Sequence, residues 1–180
     1  SIGQGYEYQV VKSLPAFPTG EGGINVGAGY IYSGIRLPPM HHRGTCLVVI
    51  DSTFKPSLAP AIARLLDDIV AEGWHVQALY VDRNDRVPDV KTMIKSWADN
   101  HHDIHQAVFL LGRVPVPYSG EIAPDGHHSD HRGAWPSDGY YANLDGLWTD
   151  QTVNTTAAAS SRNDNVPGDG KFDNNKIPSP

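Results

Sequence analysis

Thr45-Cys46-Leu47-Val48-Val49-Ile50-Asp51 is an unbroken apolar run closed by an acid. It is too short and too uniformly apolar to be a surface helix. A strand covered by helices on both faces of a parallel sheet reads this way. Downstream, Ser52-Thr53 and Pro56 open a predicted helix that reaches about Glu72, with Leu58, Ile62, Leu65, Leu66, Ile69 and Val70 at helical spacing. Gly73 closes it.

Trp74-His75-Val76-Gln77-Ala78-Leu79-Tyr80-Val81 reads as a second strand, ended by Asp82-Arg83-Asn84-Asp85. A second helix is predicted from Asp89 to about Asn100, with Val90, Met93, Ile94 and Trp97 on one face. Ala107-Val108-Phe109-Leu110-Leu111 is the third strand, stopped by Gly112 and by Pro115 and Pro117, which a central strand cannot hold. Two right-handed crossovers make these strands parallel, so the fold class is α/β: a three-layer βαβαβ sheet of strand order 2-1-3. Such sheets bind ligands outside the carboxyl ends of their strands. Asp51, Asp82 and Arg113 stand at those ends and form a candidate ligand edge.

Around this core, residues 45–118, the chain is less regular. Residues 1–44 are rich in Gly and Pro, with alternations at Tyr6-Glu7-Tyr8-Gln9-Val10-Val11 and Tyr30-Ile31-Tyr32 that predict an extended arm or two short strands. Residues 119–180 form a loop-rich tail in which only residues 153–160 have the composition for a helix. An irregular stretch of this length is uncommon unless a metal, a partner or a function holds it.

Charge and composition exclude some functions. The net charge of -6 argues against a nucleic-acid partner near neutral pH, although the nine histidines weaken this argument in acid. No stretch approaches the roughly 20 apolar residues of a membrane span. The lone Cys46 rules out an internal disulfide. The start at Ser1-Ile2-Gly3, without Met or a signal peptide, predicts a processed or trimmed N-terminus.

Nucleophilic chemistry has little to work with. Cys46 lies at the start of a buried strand, at the edge opposite the ligand-binding one, and reads as an inert core thiol. There is no G-x-S-x-G elbow and no P-loop. The glycines of Gly20-Glu21-Gly22-Gly23 and Gly27-Ala28-Gly29 do not sit between a strand and a helix. His127, His128, Asp130 and His131 fall within five residues and are candidate zinc ligands, against a reading in which the loop satisfies its own backbone. His41-His42 and His101-His102 read as solvated loop residues, and His75 as a core histidine.

Oxygen donors are denser. Asn143, Asp145, Asp150, Asn163, Asp164, Asp169 and Asp173 are candidate calcium ligands, because a hard cation takes several carboxylate and amide oxygens around a sharp glycine turn. The pattern is not an EF-hand: Pro167 occupies a ligand position, and no Glu comes six residues after Gly170. A calcium site built jointly from these loops competes with plain Asx-turns. Histidine is absent between these positions, so the donor set favours Ca²⁺ over Zn²⁺.

The order of features resembles the gingipain-like cysteine peptidases. The residues that carry the likeness are Val49-Ile50-Asp51, Glu72-Gly73-Trp74, Phe109-Leu110-Leu111-Gly112-Arg113-Val114-Pro115, and Pro136-Ser137-Asp138-Gly139-Tyr140-Tyr141-Ala142-Asn143-Leu144-Asp145-Gly146, within residues 45–180. The resemblance implies a secreted or cell-surface bacterial protein with a caspase-like fold, a polypeptide substrate and, in some members, bound calcium. It also implies a catalytic His-Gly and a nucleophilic Cys further along, and no residue here matches either. The expectation is the first, Rossmann-like half of such a domain, with catalysis supplied by a missing C-terminal segment or another chain. A calcium-stabilised structural or adhesive module of an extracellular assembly is the competing expectation.

Overall fold

In the computed structural model, which describes residues 3–13, 26–35, 42–102, 105–123, 126, 128 and 130–179, the chain divides into two units, residues 1–40 and 41–180. The first unit is a ribbon of β1 (Gly5–Ser13) and β2 (Val26–Gly34), paired antiparallel from Gly5↔Gly34 to Ser13↔Val26. These are the short strands expected from the two alternations. Tyr6, Tyr8 and Val10 share a face with Ile31, and all four are exposed. Tyr32 lies across Gly5, where a Cβ would meet its hydroxyl oxygen at 1.9 Å. The ring thus covers backbone that the glycine leaves bare.

The second unit is built on β3 (Gly44–Asp51), in which every residue is buried. A 3₁₀ turn (Ser52–Phe54) leads into α1 (Lys55–Ala71), which ends at Gly73 with φ +95°. β4 (Trp74–Val81), α2 (Val87–Asp99) and β5 (Gln106–Leu111) follow. The sheet order is β4-β3-β5 and both pairings are parallel, which is the expected 2-1-3 arrangement. α2 begins two residues before the expected Asp89, because Pro88 in its first turn supplies a helical φ and lacks only an N–H that would be unpaired there.

Alternation along β3 separates the layers. Leu47 and Val49 pack with Val90, Ile94 and Trp97 of α2, whereas Cys46, Val48 and Ile50 pack with Ile62 of α1. At about 25 cal/mol per Å², such side chains each contribute roughly 1.5–3 kcal/mol on burial, and α2 covers its face with more of them than α1 does.

The tail has its own order. β6 (Tyr118–Ser119) pairs antiparallel with β7 (Trp135–Pro136), and α3 (Gly139–Ala142) and a 3₁₀ turn (Ser161–Asn163) follow. Residues 153–160 are not helical; Thr155 instead bridges to Asn165. Tyr140, Tyr141 and Phe172 join the α2 cluster. The Tyr140 and Phe172 rings stack at 4.4 Å, and Trp148 meets Tyr140 edge-on at 5.2 Å. Among the described residues, no helix is long and apolar enough to cross a membrane.

Candidate functional site

The carboxyl edge of the sheet brings together the ends of all three strands, with Asp51 at its centre. Asp51 is fully buried. Its Oδ1 accepts from the Thr53 backbone N–H at 3.0 Å and from the Thr53 hydroxyl at 2.8 Å. Its Oδ2 accepts from Arg83 Nη2 at 2.7 Å and from the Arg113 backbone N–H at 3.3 Å. Burial alone would raise this carboxyl, but the donors from Thr53, Arg83 and Arg113 outweigh it and hold the group down at about 2. Arg83 Nη2 also donates to Thr53 Oγ1, so carboxylate, hydroxyl and guanidinium form a closed triangle.

Two of the three expected edge residues have different roles from Asp51. Asp82 is exposed and accepts from Asn84 within its own turn, at 2.8 Å from the backbone N and 2.9 Å from the side-chain amide. Arg113 contributes its backbone N–H, while its side chain is exposed. The sequence reading missed Arg83 and Thr53. A signal for Arg83 was present: an acid buried at a strand end requires a cation, and the neighbouring strand ends two residues before one. Beside this cluster, Gly112 sits at φ +87°, and a Cβ there would meet Phe54 at 2.5 Å and the Asp51 Cβ at 2.9 Å. Phe54 therefore packs directly against the strand ends at the point where the crossovers diverge.

Chemically, Asp51 is an ionised carboxylate with both oxygens engaged, which suits holding and not proton transfer. Cys46 lies five residues earlier on β3, about 16 Å away at strand rise. Its thiol is buried, and burial pushes it up.

The candidate calcium ligands are distributed among separate turns. Asp173 accepts the backbone N–H groups of Gln151, Thr152 and Val153. Asp150 accepts those of Gly168 at 2.7 Å and Gly170 at 2.8 Å. Asp164 accepts from Ala158, and Asp169 from Val166 and Lys171. Asn143 Oδ1 accepts from Trp148 Nε1, and exposed Asp145 pairs with Lys95 at 2.9 Å. Asn163 is buried, and its carbonyl accepts from the Ala134 N–H. Among the described residues no three His, Cys, Asp or Glu side chains are arranged to hold a metal ion.

Of the histidine loop, His127 lies outside the described residues, as do His41 and residues 20–23. His128 and His131 meet edge to face at 6.1 Å, and His131 packs on Trp135 at 5.6 Å. The Arg132 N–H donates to the Asp130 carbonyl.

No protein family, curated protein or solved structure matches this chain.

What the geometry adds to the sequence is a link between distant segments. The Tyr141 hydroxyl donates to the Pro115 carbonyl at 2.6 Å in a buried contact. Pro115 lies on the run leaving β5, and Tyr141 on α3.

Proposed function

We propose that residues 42–179 form the first, Rossmann-like part of a gingipain-like cysteine peptidase domain, in which polypeptide outside this chain brings the nucleophile and its base. The observation that supports this most is the Tyr141–Pro115 hydrogen bond. It joins the two segments that carry the likeness, 109–115 and 136–146, on a parallel sheet of order β4-β3-β5. In this reading the Asp51–Arg83–Thr53 triangle fixes the strand ends, so that residues leaving them are held in place without moving protons themselves. The substrate is polypeptide, and the work of this part is to position.

The test compares this chain with any longer product of its gene on a peptide library. The longer product is expected to cleave in the presence of reductant and to lose activity on thiol alkylation, whereas residues 1–180 alone are expected to be inactive. Cleavage by this chain that Cys46→Ala abolishes would overturn the reading. Inactivity of both lengths would leave the non-catalytic structural module.

A further inference from the structure

The sheet stops at β5: among the described residues no strand pairs with its far edge. Nothing in the strand defends that edge. Gln106-Ala107-Val108-Phe109-Leu110-Leu111 has neither a charge nor a proline, the usual means of blunting an exposed edge. Along it runs a groove of about 520 Å³, lined by Ile94 and Trp97 of α2, Val108 and Leu110 of β5, and Tyr141 and Leu144 of the tail. The lining includes one carboxylate, the exposed Asp138.

We propose that the β5 edge and this groove seat an extended strand of another polypeptide, with apolar residues at alternate positions and a lysine or arginine that meets Asp138. The outward N–H and C=O groups of β5 pair with the incoming backbone. Because strand side chains alternate, every second one falls on the α2 side, where Val108 and Leu110 already pack. A cation at the end of that row neutralises Asp138. A second copy of β5 does not meet the charge requirement, since its own row on that side is Gln106, Val108, Leu110 and Gly112. The inference rests on the open edge and the groove.

The probe is the peptide acetyl-KTVTLTK-amide, whose lysines flank the apolar pair so that either strand direction offers one to Asp138. Added at millimolar concentration to the isotope-labelled full chain, it is expected to shift the backbone N–H signals of β5, slow their exchange and move the Trp97 indole signal, leaving β4 unchanged. Asp138→Asn is expected to weaken this peptide by about two- to fivefold, the range of an exposed ion pair, and to leave acetyl-QTVTLTQ-amide unaffected. Ala142→Trp, which fills the groove from an exposed position, should abolish binding. Acetyl-KTVPLTK-amide, in which proline removes a pairing N–H, should bind weakly to the unsubstituted chain. Unmoved β5 signals at millimolar peptide, equal shifts along β4, or a dimer whose β5 amides are already protected without peptide would each overturn the proposal.

Discussion

Asp51 and Arg83 meet at 2.7 Å across the ends of adjacent strands, with the acid fully buried and the guanidinium about one-third exposed. The contact ties β3 to the turn after β4, and the Arg113 N–H on the same carboxylate ties in β5. One side chain thus fixes three strand ends relative to one another. An acid at the centre of a sheet is tolerated only because all of its donors are in place.

Removing the cation alone should therefore cost more than removing the pair. Arg83→Met leaves a buried carboxylate short of its strongest donor, whereas Asp51→Asn with Arg83→Met leaves no charge to desolvate. Arg83 also keeps its Nε buried without a partner, a cost that methionine relieves. Urea unfolding is expected to rank the double variant above Arg83→Met in midpoint, and the opposite order would show that the ion pair does not hold the edge.

The same carboxylate gives an acid dependence. Its folded value of about 2 lies below the roughly 3.9 of an unfolded aspartate. A depressed value stabilises the fold fully above the unfolded pKa, and that stabilisation is lost as pH falls from about 4 to about 2. Asp169 and Asp173 are also lowered, because their hydrogen bonds outweigh burial, and so also contribute stability that is lost in acid. Melting temperature should fall steeply there, and less steeply in Asp51→Asn. Parallel curves for the two proteins would assign the acid sensitivity to other groups.

Gly112 is required twice over, by its φ of +87° and by the proximity of Phe54. Gly112→Ala is expected to destabilise by about 1–3 kcal/mol, the scale of a non-glycine residue forced into a sparsely populated region. Adding Phe54→Ala should not restore stability, because the backbone penalty remains and a cavity is added. Full recovery in the double variant would make the steric contact the whole effect.

The sheet was legible because β3 carries its own evidence: an unbroken apolar run ahead of a helical periodicity reads as a strand buried on both faces. The tail was less so, since Tyr140, Trp148 and Phe172 form a cluster without any period to announce it. The density of Asp and Asn was visible, but its use was not. A side chain that binds a cation and one that caps a turn have the same composition, and the sequence does not show that the N–H groups of Gln151, Thr152 and Val153 surround Asp173. Arg83 stands in a polar turn like other charged residues, and only the buried acid at the end of β3 singles it out.

Tyr141→Phe removes the donor to the Pro115 carbonyl and nothing else. A buried acceptor left unpaired costs about 1–3 kcal/mol. A midpoint shift of that size is expected, and exchange of N–H groups across both segments, 109–115 and 136–146, should speed up. A loss confined to α3 would mean that the bond does not link the two.

The tail offers the sharpest contrast between hydrogen bonding and metal binding. Asp173 gathers three successive backbone N–H groups at 2.9–3.3 Å, and Asp150 holds Gly168 and Gly170. If these contacts order the loops, removing the carboxylate strands the N–H groups whether or not a cation is in solution. Asp173→Ala is expected to destabilise by roughly 1–2 kcal/mol, the scale of losing a capping side chain. The loss should be the same in chelator as in millimolar calcium. A calcium site would behave differently: the unsubstituted chain would gain melting temperature with calcium concentration, and Asp173→Ala and Asp150→Ala would lose that gain while costing little in chelator. Thermal melts of the three proteins under both conditions separate the two. Destabilisation that appears only with calcium present would overturn the hydrogen-bond account, because an N–H stranded in the loop costs the same with or without the ion.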